Sequence, residues 1–435
     1  MKMEYYFRIA SYLLGRMGFY VLLVSFPGLL FAAQWTVSPA AKVEQSYTDN
    51  VYLSSSQTPS VTTRIINPTI GFGWATERAN IGLSGDWKYR QYSGDPNLEN
   101  RADSYYKLKS AYKTERSEFS LDSSYSDDTT LTRENYSEDI GVVLAQLDRQ
   151  TKQIAPAWSW MLDQQSNLRI DLQYQDVKYE KSLTNPYTDY SYDSGGLTYT
   201  FQWTMRDQVY LVADQSRYST KKKALVPAIE MVSIQKYLGS VSDTMTYQLG
   251  LNHQFSSTFR MGLGYGRRDS KSQTQYQECN AVYPFPYSNI CAATIETQTI
   301  SNTSSPVFTI SADKDLELTK LGLKFSRTIT ASGLGSEMQV DSLNMNIDHR
   351  ISEKLSLRFK GLVNQRIAVN PGFNFYDRQF LRGEVNLAWK LDKNWNLYTR
   401  YRYVRQVYKS SNAVAVANNI SLNIRYTWDR ISMSR

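Results

Sequence analysis

Apolar and polar residues alternate with a period of two along almost the whole chain. Leu355, Leu357, Phe359, Gly361 and Val363 are interleaved with Ser356, Arg358, Lys360 and Asn364. Leu381, Val385, Leu387, Trp389 and Leu391 are interleaved with Arg382, Glu384, Asn386 and Lys390. Ile420, Leu422, Ile424, Tyr426 and Trp428 alternate with Ser421, Asn423, Arg425 and Thr427. Leu168/Ile170/Leu172/Tyr174 and Leu197/Tyr199/Phe201/Trp203 repeat the pattern. Successive side chains of a strand point to opposite faces, so each segment predicts a strand with one apolar and one polar face. No helical stripe follows residue 33.

The connections alternate in length. Short polar breaks fall at Glu77-Arg78-Ala79, Thr114-Glu115-Arg116, Asp163-Gln164-Gln165, Arg206-Asp207, Ser256-Ser257, Lys314-Asp315, Ser352-Glu353 and Asp392-Lys393-Asn394. Between them lie longer polar segments at 53–61, 92–101, 128–148, 180–190, 218–241, 272–303, 331–337, 368–377 and 408–412. Short turns on one side and long loops on the other mark a membrane β-barrel, with the turns periplasmic and the loops extracellular. A first strand from about Trp35 and a last one ending near Trp428 bring the count to about 18, with 16 as the alternative. The expected fold class is therefore all-β: a closed antiparallel transmembrane barrel. A soluble propeller or solenoid would show a repeated blade motif, and none is visible.

Composition agrees. Hydrophobic residues are 41% and mean hydropathy is −0.48, too polar for a helical membrane protein. No apolar run beyond the N-terminus reaches the ~20 residues of a membrane-spanning helix. Yet the chain has 33 Tyr and 9 Trp, residues suited to the bilayer–water boundary. Lys2, Arg8 and Arg16 precede the apolar stretch Met17 to Phe31, which ends at Ala32-Ala33; this is the order of a secretory signal. Residues 1–33 are read as that signal and 34–435 as the barrel. Leu30 or Phe31 at the −3 position is large for a cleavage site, and a retained anchor is the rival reading. Cleavage would remove Glu4 with the three cations and leave +6 of the formal +8. The basic charge is spread rather than patched, which speaks against nucleic acid as a partner. Cys279 and Cys291 lie in one polar segment with no nearby His, so an extracellular loop disulfide is expected rather than a metal site.

Val43-Glu44-Gln45-Ser46-Tyr47-Thr48-Asp49-Asn50-Val51 resembles the first strand of the exosortase (PEP-CTERM) system-associated outer-membrane β-barrel family. Asp128-Thr129-Thr130-Leu131-Thr132, Pro156-Ala157-Trp158-Ser159-Trp160, Tyr174-Gln175-Asp176-Val177-Lys178-Tyr179 and Thr188-Asp189-Tyr190 are similar to its middle. The resemblance covers most of residues 35–220; later residues share mainly strand rhythm. It implies a porin-like barrel linked to exopolysaccharide production and protein sorting. The implied partners are outer-membrane lipid and lipopolysaccharide, the barrel assembly machinery, and exopolysaccharide or its export components. Outer-membrane barrels usually end on an aromatic; here Asp429–Arg435 follow Trp428.

Candidate chemistry is sparse. His253 shares the apolar row of Leu249, Leu251 and Phe255, and His349 sits at a turn, so neither reads as a base beside a nucleophile. Asp127-Asp128 read as solvated charges at a loop base. Gly262, Gly264 and Gly266 alternate in a strand and read as small residues on a crowded wall, not a phosphate loop. No enzyme activity and no cofactor are expected. The residues out of phase with the apolar row are mainly basic: Lys88, Arg90, Lys107, Lys109, Lys113, Arg169, Arg260, Arg268, Lys320, Lys324 and Arg425. With them belong Arg358, Lys360, Arg382, Lys390, Arg400 and Arg402, a basic sector on neighbouring strands. Asp86, Asp122, Asp171, Asp348 and Glu384 oppose them. Fixed positive charge in a wet lumen concentrates anions, so a passive conduit for anionic solutes is the expected function. A non-transporting barrel that anchors surface material is the alternative.

Overall fold

A computed structural model describes residues 33–56, 58–133, 146–180, 187–220, 235–282, 291–330, 337–369 and 377–434. The expected signal segment and Lys221–Lys223 lie outside them. The strands are β1 (Gln34–Thr48), β2 (Val61–Ala75), β3 (Ala79–Ser93), β4 (Arg101–Lys113), β5 (Ser117–Thr129), β6 (Asp148–Met161) and β7 (Ser166–Tyr179). They continue as β8 (Tyr190–Gln202), β9 (Asp207–Thr220), β10 (Gln235–Ser256), β11 (Phe259–Val282), β12 (Cys291–Asp315) and β13 (Thr319–Thr330). The last are β14 (Met338–Arg350), β15 (Leu355–Ala368), β16 (Arg378–Lys390), β17 (Trp395–Tyr408), β18 (Val414–Thr427) and β19 (Ile431–Ser434). From β1 to β18, each strand pairs antiparallel with its chain neighbour.

The sheet closes because β1 pairs with β18 (Val43 opposite Ile424) and then with β19 (Val37 opposite Ile431). β19 is the last strand resumed after a bulge at 428–430, where the Trp428 N–H donates to the Pro39 carbonyl at 3.2 Å. The wall thus has 18 strands, and closure leaves no edge along it. Residues 431–434 are strand rather than tail, a correction to the sequence expectation.

Small polar side chains specify the short turns. Asp163 Oδ1 accepts from the Gln165 and Ser166 N–H groups, both at 2.7 Å. Asp392 does the same for Asn394 and Trp395 at 2.7 and 2.8 Å. Thr204 and Ser352 hold two more turns through their hydroxyls, and Thr76 and Thr114 close the three-residue turns. Such side chains offer the backbone a local partner exactly where the ladder ends. One turn is displaced from expectation: the β12–β13 turn is 316–318, not Lys314-Asp315, because apolar Leu316 and Leu318 extend the apparent strand.

The apolar row faces outward. Leu357, Leu387 and Thr399 lie in one cross-strand layer, and Phe359, Val385, Tyr401 and Ile420 in the next. Eight of the nine tryptophans cluster toward the short-turn end, among them Trp35 against Trp74 and Trp158 against Trp160, with ring centroids 6.2 and 5.8 Å apart. At the long-loop side tyrosines give way to charge, as in Tyr174 to Asp176, Tyr265 to Arg267 and Tyr403 to Arg405. From Trp395 to Tyr403 the strand climbs roughly 26 Å, about 20 Å along the axis of a barrel with ~40° tilt. An apolar belt of that height between aromatic girdles is the surface of a barrel seated in a bilayer. Among the described residues no helix could span a membrane; this chain crosses with strands.

Strand enters two expected loops. β11 and β12 run through most of 272–303, with pairing continuing to Val282 opposite Cys291. Segment 218–241 shortens likewise, because β9 reaches Thr220 and β10 starts at Gln235. Ser, Thr and Gln dominate the extended hairpin, so outside the bilayer both faces are polar and the period-two contrast vanishes. The backbone sets Cys279 opposite Thr294; the cysteine side chains lie outside the described residues.

Candidate functional site

Alternation puts the out-of-phase residues on the inner wall. Arg358 lies opposite Asn386, Lys360 opposite Glu384, and Leu362 opposite Arg382. Glu384 lies opposite Arg402, Asn386 opposite Arg400, and Lys390 opposite Asn396. Arg358, Lys360, Arg382, Lys390, Arg400 and Arg402 therefore share one face of β15, β16 and β17. Strand parity puts the other basic residues named from the sequence on that face too.

Arg402, Arg358 and Arg400 sit against carboxylates. The Arg402 guanidinium meets Glu384 at 2.6 Å with both side chains near one-tenth exposed, and Arg358 pairs with Asp348. Arg400 donates to Glu44 at 3.1 Å, and Glu44 also takes Lys42 at 2.8 Å. Glu44 was absent from the acidic residues read from the sequence; its place in the β1 alternation, between Lys42 and Ser46, was the available signal. Among the described residues, the carboxylates seen against this part of the wall are Glu384, Asp348 and Glu44.

The wall differs from end to end. On the inner face of β4, the Lys109 side chain is 75% exposed, whereas Asp103 is fully buried and joined to Arg90 at 2.6 Å and Arg101 at 2.8 Å. At the long-loop end, connections fold onto apolar inner-wall residues. Leu53 is buried with Leu362, Phe380, Val404, Ala415 and Ala417. Val51, Leu98 and Leu131 gather around Val61, and Leu147 and Tyr187 pack with Val177, Tyr179, Tyr190 and Tyr218. At the end of β5, Asp128 is 0% exposed, while Asp127, one-third exposed, pairs with Arg101 at 3.1 Å. Asp128 is thus not the solvated charge expected, whereas Asp127 keeps part of its carboxylate in solvent.

Glycines crowd the inner wall at β10 and β11. Gly250 and Gly264 lie side by side there, and the Tyr210 side chain crosses them so closely that a Cβ at either would collide with it. The crowded-wall reading of the glycines holds at Gly262 too, where a Cβ would meet Asn252 and Ser311. Both histidines face outward near the short turns. His253 Nδ1 is 2.6 Å from Asp207 and its ring stands edge-on to Phe255; His349 Nδ1 is 2.8 Å from the Thr319 hydroxyl.

No protein-family model matches the chain, and no curated protein matches it. Among solved structures it is similar to the ferric yersiniabactin uptake receptor FyuA from Yersinia pestis, at 11% identity over 90% of this chain and 80% of that one, TM-score 0.49. It is also similar to OccAB4 of Acinetobacter baumannii, at 10% identity over 93% and 100% of the two chains, TM-score 0.46. The outer membrane protein OpdK from Pseudomonas aeruginosa matches at 11% identity over 90% and 99%, TM-score 0.44.

Proposed function

We propose that this protein is an outer-membrane channel of porin type, with passive passage or export of anionic solutes through a basic lumen. The observation that carries the reading is the inward placement of Arg358, Lys360, Arg382, Lys390, Arg400 and Arg402 on the three neighbouring strands β15 to β17. Charges within ~8 Å add at physiological salt, so the sector acts as one positive surface. The apolar belt and its girdles support an outer-membrane location, where lipid and lipopolysaccharide surround the wall and the barrel assembly machinery inserts it. The resemblance to the exosortase-associated barrels supports an acidic exopolysaccharide, or its export components, as the physiological partner. Planar-bilayer recording under a salt gradient tests the reading. Changing Lys360, Lys390 and Arg425 together to Gln is expected to move the reversal potential toward cation permeation with the barrel intact. A parent channel that already prefers cations, or one indifferent to the three changes, rejects it. A folded barrel that never conducts points instead to a surface-anchoring role.

A further inference from the structure

The connection after β1 carries more specification than a loop needs. Asp49 receives the Asn418 backbone N–H and side-chain amide, both at 2.7 Å, which ties the chain to the rim of β18. Asn50 then organises a tight turn. Its amide donates to the Ser54 carbonyl at 2.8 Å and to the Val416 carbonyl at 3.0 Å; its Oδ1 accepts from the Ser54 N–H and the Thr58 hydroxyl, both at 3.0 Å. These bonds turn the chain over the rim and down the inner wall.

Leu53 is the end of that path. It is 2% exposed with φ of +50°, a left-handed conformation that disfavours a branched apolar side chain. Strain of this kind persists only where surrounding structure holds it, and here a cup of inner-wall residues does so. The cup is Leu362, Phe380, Val404, Ala415 and Ala417, and the Tyr408 hydroxyl donates to the Leu53 carbonyl at 3.1 Å. A lumen-facing apolar patch has no reason to exist in a wet pore unless something covers it. Its position is informative: Leu362 and Val404 are the direct cross-strand partners of Arg382. Ala417 pairs with Val404, one layer above the Arg402–Asn419 pair.

We propose that Asp49–Ser56 is a strap, pivoting at Asp49 and Asn50 and held down by Leu53, that covers the basic sector from the long-loop side. Release of Leu53 from its cup uncovers Arg382 and the cations beneath it. The strap is a property of the fold; its effect on permeation rests on the channel reading above.

The test uses the full barrel in nanodiscs with Cys279→Ser and Cys291→Ser, and a single reporter thiol, Ala417→Cys, in the cup. Leu53→Asn and Leu53→Gly both favour the left-handed backbone, so each removes the apolar anchor without opposing the turn. Heat-modifiable gel mobility confirms the closed barrel. Losing the burial of one Leu shifts local opening by roughly tenfold to a hundredfold, and labelling by a maleimide should accelerate accordingly. In bilayers the same variants should raise single-channel conductance. Unchanged labelling in both variants overturns the strap. Faster labelling with no conductance in parent or variant supports the strap and overturns the channel instead.

Discussion

Individual side chains in this barrel act mostly where water is scarce or the chain must reverse. Asp163 and Asp392 show the second case. Backbone N–H groups of Gln165 and Trp395, respectively, contribute most to holding their carboxyls below the ordinary aspartate range. A depressed folded value means that the caps stabilise above the unfolded pKa, ~3.9, and lose that stabilisation as pH falls through the folded one. The amide resonances of Asn394 and Trp395 should therefore stay constant from neutral pH down through the usual aspartate range and move only below it. In Asp392→Ala no such titration should appear; a midpoint at or above the ordinary value would contradict the caps. Arg402 and Glu384 show the first case. Their 2.6 Å pair is nearly dry, so Arg402→Gln strands a carboxylate and should cost about 3 kcal/mol of unfolding free energy. The double change Arg402→Gln with Glu384→Gln should recover most of it, which denaturant unfolding in vesicles can measure. This is why the two arginines that hold Glu384 and Glu44 are poor choices for probing selectivity, and the water-exposed Lys390 and Arg425 are better ones.

At the level of strands, the seam is the point of interest. Every other strand is joined to a neighbour by chain on at least one side, but β1 and the last strand meet only through hydrogen bonds. β19 prolongs that contact: Gln34 to Val37 pair with Ser434 to Ile431, outward-facing Ile431 is 58% exposed, and Arg430 reaches the Thr36 hydroxyl at 3.0 Å. Truncation after Arg430 removes this zipper while leaving Ala40 to Thr48 on β18 and the whole of β2 in place. The truncated barrel should still insert and resist detergent at room temperature. Its gel-shift transition should fall by several degrees, and amides of residues 34–37 facing β19 should exchange faster. Failure to insert at all would show that residues 431–435 serve assembly rather than closure.

Over the whole molecule, the two ends of the barrel differ. Toward the short turns the lumen is wet, edged outside by tryptophan; toward the long loops it is packed by inward-folding connections. In the outer membrane the long-loop end should face the exterior. Amine-reactive biotin applied to intact cells should then modify Lys221–Lys223, with Lys393 in the β16–β17 turn reached only after the membrane is breached. The opposite order would invert the orientation and place the strap on the periplasmic side.

Period-two alternation is a local property, and it was enough to assign most strands, seven of the eight short turns and the inward basic residues. Each follows from where consecutive side chains must point once one face meets lipid. Pairing across the barrel is not local. Glu44 and Arg400 are separated by 356 residues, and nothing in either segment announces the other until β1 closes on β18 and brings β17 beside it. The same holds for Leu53 and its cup, joined by closure and by a turn whose direction Asn50 sets. The extended β11–β12 hairpin was missed for the converse reason: beyond the bilayer both faces meet water, the alternation disappears, and only the backbone ladder records that the strands continue.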